Sequence, residues 1–317
     1  MTQSKDVLIC GSMAFDTIAV FEGRFRDHIL GDSLKSLSVS FFVPTLRKEF
    51  GGCAGNIAYN LKLLGGHPVP VGTVGQDADD YLQRLRSLGI DTSLVRVLPD
   101  TYTAQCYITT DQDNSQIASF HPGAMQYSAD NDLTGHDASW AIVSPDSKDG
   151  MFAHARRLHA AGIPFVFDLG QAMPLFDGAD LKQMLEMASI LTANDYEASV
   201  IEDRMGQPIA EIAAGLKAAV VTRGAEGATL YHEGKEIFIK PSSVSRVVDP
   251  TGCGDAHRAG LLYGLVNGWS LPNACCLANV MGGFKIESQG PQNHSPSRDQ
   301  IMAVLDQHYG VGAGSVA

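Results

Sequence analysis

Short β-rich runs alternate with helix-length amphipathic segments along most of this chain, and few folds accept that rhythm. The runs are Val7-Leu8-Ile9-Cys10, Ala141-Ile142-Val143, Phe165-Val166-Phe167-Asp168, Ile190-Leu191-Thr192 and Ala219-Val220-Val221-Thr222. Helical candidates span Ala54 to Leu64, Asp79 to Leu88, Met151 to Ala161, Ile209 to Lys217, Ala256 to Asn267 and Asn273 to Ile286, several closed by a glycine at Gly65, Gly89 or Gly268. Strands that alternate with helices in this way read as a mostly parallel central sheet in a three-layer α/β/α body.

Two stretches break the rhythm. Residues 15–50 and 97–125, the second with the alternating Thr101-Tyr102-Thr103-Ala104-Gln105-Cys106-Tyr107-Ile108, read as antiparallel hairpins. Paired with each other they would form a small β-sheet lid; unpaired, they would be two surface hairpins. The expected division is an α/β body of residues 1–14, 51–96 and 126–309, an inserted lid of residues 15–50 and 97–125, and a disordered tail of residues 310–317.

With 317 residues, 44% of them hydrophobic, the chain can bury a large core. Its apolar stretches fall short of a membrane span, and Val7-Leu8-Ile9-Cys10 is too short for a signal-peptide core, so a cytoplasmic location is expected. The six cysteines lack paired zinc-type spacing, which suits reduced thiols. A formal charge of −12 without a basic block argues against nucleic acid or anionic membrane as the main partner.

Chemistry concentrates in Asp249-Pro250-Thr251-Gly252-Cys253-Gly254-Asp255, which follows an extended run and opens a helical segment. Gly252 and Gly254 allow backbone amides to turn toward a ligand at the helix start, where unpaired N–H groups favour an anion. Asp255 is either a helix cap or a general base. Gly51-Gly52-Cys53-Ala54-Gly55-Asn56 is either a plain strand-to-helix turn or a place where the backbone approaches a hydroxylated ligand. Asp16, just after the first strand, reads by itself as a turn aspartate. Asn194-Asp195-Tyr196-Glu197 suits a helix start, and Thr222-Arg223-Gly224-Ala225-Glu226-Gly227 a turn.

Taken in order, these segments resemble the signatures of the ribokinase-like, phosphofructokinase-B type superfamily of sugar and nucleoside kinases, whose pattern Asp-x-x-Gly-x-Gly-Asp is matched by Asp249 to Asp255. The resemblance implies a ribokinase-like fold with a β lid, ATP as co-substrate and Mg2+. It implies that Asp255 is the catalytic base and that the Gly252, Cys253 and Gly254 amides form the anion hole. Asp16, Gly51, Gly52 and Asn56 would hold the acceptor, and Asn194, Thr222, Gly224, Gly227, Thr251 and Asn279 the nucleotide. Glu197 would hold magnesium through water, and Asp249 with Thr251 and the loop of residues 288–290 a potassium ion. His257, where the family usually has an aromatic, is a packed histidine or a phosphate contact. Cys253, in place of the more usual alanine, is a buried small residue or a thiol whose alkylation blocks the site. Walker A, protein-kinase and Gly-x-Gly-x-x-Gly dinucleotide motifs are missing.

Phe41, Phe42, Phe120 and Met125 lie in the expected lid, where aromatic groups suit a base better than a bare polyol. Thr101 to Met125 resembles the matching segment of prokaryotic adenosine and nucleoside kinases. A nucleoside acceptor, adenosine first, is therefore expected, with a pentose or hexose kinase and a catalytically inactive nucleotide- or sugar-binding relative as alternatives. Monomer and homodimer both remain open.

Overall fold

The structure, a computed structural model, describes residues 5–28, 39–113 and 115–312. Strand β1 (Asp6–Cys10) lies inside a nine-stranded sheet between β4 (His67–Gly75) and β8 (Trp140–Val143), parallel to both. Beyond β4 comes β5 (Val95–Leu98); beyond β8 follow β9 (Phe165–Asp168), β10 (Ile190–Asn194) and β11 (Ala218–Thr222), all parallel. An antiparallel hairpin, β12 (Ala228–His232) and β13 (Lys235–Ile239), closes that edge. Its two-residue turn carries Glu233 at φ 50° and Gly234 at φ 71°, the left-handed pair that lets a tight hairpin twist with its strands.

Successive side chains of the central strands enter opposite cores, because strand residues alternate faces. Val7, Ile9, Val166 and Val220 pack under α2 (Cys53–Leu63), α3 (Asp79–Ser87), α8 (Cys253–Val266), α9 (Leu271–Ile286) and α10 (Arg298–Tyr309). Leu8, Cys10, Phe167 and Val221 pack under α4 (Lys148–Ala160), α5 (Gly178–Met187), α6 (Asp195–Met205) and α7 (Ile209–Ala214). The three-layer expectation holds. No helix among the described residues is long and apolar enough to cross a membrane.

The second sheet has four strands in the order β3 (Thr45–Gly51), β2 (Ala14–Val20), β6 (Ala104–Thr110), β7 (Gln116–His121). Each hairpin is antiparallel, and parallel pairing of β2 with β6 joins them into one small lid. Helix α1 (Phe25–His28) sits in the first insertion, where Phe21, Phe25, His28 and Phe41 stack together. Most helix ends differ from the sequence reading by one to three residues, and other boundaries differ as well. Ala14 is already lid strand, Val97 and Leu98 belong to β5 of the large sheet, and the helix expected to Lys217 stops at Ala214 before Gly215. Residues 1–4 of the expected body, 29–38 and 114 of the expected lid and 313–317 of the expected tail lie outside the described residues.

Candidate active site

Parallel α/β sheets open a crevice at the carboxyl ends of their strands where strand order reverses. Here the reversal falls at β1 and β8, since the chain fills one flank after β1 and the other after β8. The loop after β1, Asp168 at the end of β9, Asn194 at the end of β10 and Thr222 at the end of β11 all lie on that edge.

Two glycine turns bring helix starts to the crevice. Gly52 has φ 82° and precedes α2; a Cβ there would lie 2.6 Å from both Ser12 O and Ala14 N, so the strand loop and the helix start touch through backbone. The Cys53 and Ala54 amides lock that contact by donating to Ser12 Oγ (3.1 Å) and Ser12 O (2.9 Å). Gly252, φ 81°, is the N-cap of α8, and Asp249 shapes the turn before it by accepting from Thr251 N (2.9 Å) and Gly290 N (2.9 Å).

Asp255 occupies the first turn of α8 but makes no side-chain cap. Its carboxylate instead accepts from Asn56 Nδ2 at 2.8 Å. Asn56 Oδ1 accepts from Gln292 Nε2 (3.0 Å), which also donates to Tyr81 Oη (2.9 Å), and Tyr81 donates to Gly51 O (2.6 Å). The sequence placed Asn56 on acceptor hydroxyls, yet both ends of its buried amide are engaged inside the protein, one of them fixing Asp255. Burial pushes the Asp255 carboxyl above the usual carboxylate range, against the pull of Arg258, Asn56 and Cys53.

Asp16, on β2, pairs across the lid with Glu49 on β3 and Cys106 on β6, and Cys106 pairs with Phe120 on β7. Cross-strand partners share a face, so a carboxylate, a thiol and an aromatic ring stand in one row. A Cβ on Gly51 would come within 2.4 Å of Asp16 Oδ2, so the glycine leaves room for that carboxylate. Burial first, then the charges of Asp255, Glu49 and Asp249, push Asp16 up to about 6. Met125 is half-buried in the 3-10 segment Gly123–Asp130 that follows β7. Phe41 belongs to the aromatic stack around Phe21, and Phe42 is 84% exposed.

A cavity of about 290 Å³ lies on the other side of the α8 start. Thr222, Gly224, Gly227, Cys253, Gly254 and Asn279 line it, so the loop after β11 and the first turn of α8 face one space. His257 also lines it; burial pulls this histidine down to about 3, which keeps it neutral and unsuited to pairing with a phosphate charge. Asn279 donates to Lys240 O (2.9 Å), which sets the orientation of its amide at the cavity wall. The Cys253 amide closes a turn on Pro250 O (3.1 Å), so it is not presented to the cavity as the sequence reading expected. Burial also pushes the Cys253 thiol to about 11, leaving little thiolate for alkylation at neutral pH.

Asn194 and Glu197 form a reciprocal capping box at the start of α6: Glu197 N donates to Asn194 Oδ1 (2.7 Å) and Asn194 N donates to Glu197 Oε2 (2.8 Å). Asn194 pairs across the sheet with Thr222, so the cap still stands beside the cavity.

The sequence reading missed an ion pair. Arg258, one turn beyond Asp255, meets the buried Asp168 with Nε and Nη2 each at 2.5 Å from a carboxylate oxygen. Arg258 Nη1 would sit 2.4 Å from a Cβ on Gly254, placing the guanidinium directly under the helix start. Spacing of three on a helix puts Arg258 on the face of Asp255, which was the available signal. Arg258→Met strands Asp168 as an uncompensated buried charge and should cost about 3–5 kcal/mol of unfolding free energy, read as a fall in urea midpoint. Adding Asp168→Asn should recover part of that loss.

These features have close counterparts. The model of the pfkB family carbohydrate kinases matches residues 6–298, so the chain belongs to that family of kinases. A nucleoside kinase of Methanocaldococcus jannaschii is 30% identical over 274 residues, 86% of this chain and 90% of that protein. The structure of Burkholderia thailandensis nucleoside kinase in complex with inosine superposes with a TM-score of 0.88 at 50% identity, covering 96% of this chain and 99% of that one. The same Burkholderia enzyme in complex with ADP-inosine gives a TM-score of 0.85 at 50% identity over 97% and 98% of the two chains.

Proposed function

We propose that this kinase transfers the γ-phosphoryl of ATP to the 5′-hydroxyl of a nucleoside, with Asp255 as general base. The observation that carries the reading is the position of Asp255: Asn56 fixes its carboxylate at 2.8 Å, and the two residues before it, Cys253 and Gly254, form the wall of the cavity. A hydroxyl presented from the lid side would meet the base, and a phosphate in the cavity would meet the helix start. The 50% identity to an enzyme whose structure holds inosine supports a nucleoside acceptor. Adenosine is the first acceptor expected from the sequence, and inosine joins it on the strength of that relative.

In this mechanism Asp16 accepts hydrogen bonds from ribose hydroxyls while Gly51 and Gly52 let the sugar approach the backbone, and Phe120 and Met125 face the base. Thr222, Gly224 and Gly227 border the ATP phosphates with Thr251, and Asn279 borders the adenine. Asp255 takes the 5′-hydroxyl proton as that oxygen attacks the γ-phosphorus and the bond to the β-phosphate oxygen breaks. The N–H groups of the α8 start, Gly252 and Gly254 among them, offset charge on the moving phosphoryl, with the Arg258 guanidinium beneath them. Glu197 would hold, through water, the magnesium that accompanies the nucleotide, an ion usually bound by one or two carboxylates together with phosphates. Closure of the four-stranded lid keeps water from the phosphoryl group. The cytoplasm, where reduced thiols persist, is the location we assign.

ADP release measured over a panel of nucleosides and sugars tests the acceptor. A purine nucleoside should exceed ribose and fructose in kcat/KM by about 10²-fold or more, because a site built around a base loses that binding energy with a bare sugar. Preference for ribose or a hexose overturns the nucleoside assignment.

A further inference from the structure

Lys285, in the last turn of α9, is fully buried, and its ammonium donates to Asp249 O (2.7 Å) and Ser288 O (3.0 Å). Those carbonyls belong to the two loops where the sequence resemblance placed a potassium ion. The loops are stapled to each other around that ammonium. Val248 N donates to Ile286 O (2.8 Å), Asp249 N to the same oxygen (3.2 Å), and Gly290 N to Asp249 Oδ2 (2.9 Å). A Cβ on Gly252 would lie 3.7 Å from Lys285 Cε, so the end of the lysine side chain runs beneath the left-handed turn that starts α8. The site does not fit a potassium ion in addition, since a covalently tethered cation already holds two of its carbonyls.

We propose that Lys285 is a built-in monovalent cation, which fixes the Asp249–Asp255 turn from below and makes phosphoryl transfer independent of added potassium. The inference rests on the kinase reading above. Three N–H donors allow one ammonium to join several carbonyls, the role a desolvated alkali cation plays, and tethering removes the dependence on ion concentration. Burial, the largest influence, leaves the Lys285 ammonium below its ordinary value, with the Asp249 carboxylate pulling the other way. Lys285 is a positioning residue: it acts on the helix start through the loop and not on the reacting atoms.

The test measures nucleoside phosphorylation by the full chain, with ATP and magnesium, in chloride salts of potassium, sodium and tetramethylammonium at one ionic strength. Wild-type rates should agree within about twofold; a gain of about tenfold or more in potassium overturns the proposal. Lys285→Ala opens the carbonyl site and should lose about 10²-fold in tetramethylammonium and regain part of it in potassium. A folded variant indifferent to potassium contradicts the cation role, because a merely structural lysine is not replaced by a free ion. If that variant does not fold, or if no acceptor is turned over in any salt, crystals of the wild-type chain grown in rubidium decide. An anomalous peak between Asp249 O and Ser288 O overturns the inference, and its absence upholds it. Failure of the kinase reading thus shows as no turnover in every salt, and failure of this inference as turnover that needs potassium.

Discussion

Asp255→Asn should lower kcat by about 10²–10⁴ at neutral pH, the range a positioned general base contributes, with little change in the KM for ATP. Asparagine keeps the size of the side chain and an oxygen to accept from Asn56 Nδ2, so the network through Gln292 and Tyr81 has no reason to collapse. It removes a buried charge whose desolvation already raises the carboxyl above its usual range, so stability should hold. The pH dependence gives a second signature. A base must be ionised, so wild-type kcat should fall as pH falls through the raised folded-state value of Asp255, and that acid limb should vanish in Asp255→Asn. A variant that retains most of its turnover removes Asp255 from the chemistry.

Asp16→Asn should raise the KM for the acceptor by about 10²-fold while making the protein without nucleoside more stable. Loss of a charged acceptor of hydrogen bonds from hydroxyls accounts for the first effect, at about 1.5–3 kcal/mol per bond. The second follows from the raised carboxyl, at about 6 when folded against 3.8 for the ordinary group. A raised carboxyl binds protons more tightly folded than unfolded, so ionised Asp16 opposes folding above pH 6. That cost, about 3 kcal/mol, is relieved as pH falls from about 6 to about 4. In urea titrations at pH 7 the variant should therefore exceed wild type, with the difference shrinking toward pH 4. A variant less stable than wild type at pH 7 contradicts the account in which burial, with the charges of Asp255, Glu49 and Asp249, makes ionised Asp16 unfavourable.

Which parts of this arrangement could be read from residues alone follows from their physical range. Strands such as Phe165–Asp168 announce themselves by local composition, and the alternation with helices fixed the layer order. Helices α5 and α10 escaped notice, and of α6 only the start was read, although each opens with a reciprocal cap, at Asp177 and Asp180, Ser297 and Gln300, and Asn194 and Glu197. Of these, Asn194 and Glu197 were noticed for a ligand role, while their engagement with each other became visible only in three dimensions. Asp255 and Gly252 were legible because a turn and a helix start are local. The partners that give Asp255 its setting are remote in sequence: Asn56 from another helix, Gln292 from the loop before α10, and Asp168 through Arg258 from β9. Lys285 carries no local signal at all, since a lysine near a helix C-terminus is ordinary and only folding buries it beside Asp249.

The most direct test of the central claim is the phosphorus spectrum of the product formed from ATP, magnesium and inosine or adenosine. The expected result is a monoester whose phosphorus couples to the two 5′ protons, formed by wild type and nearly absent with Asp255→Asn. Phosphate on another oxygen, or release of inorganic phosphate alone, would contradict a site in which Asp255 activates the 5′-hydroxyl.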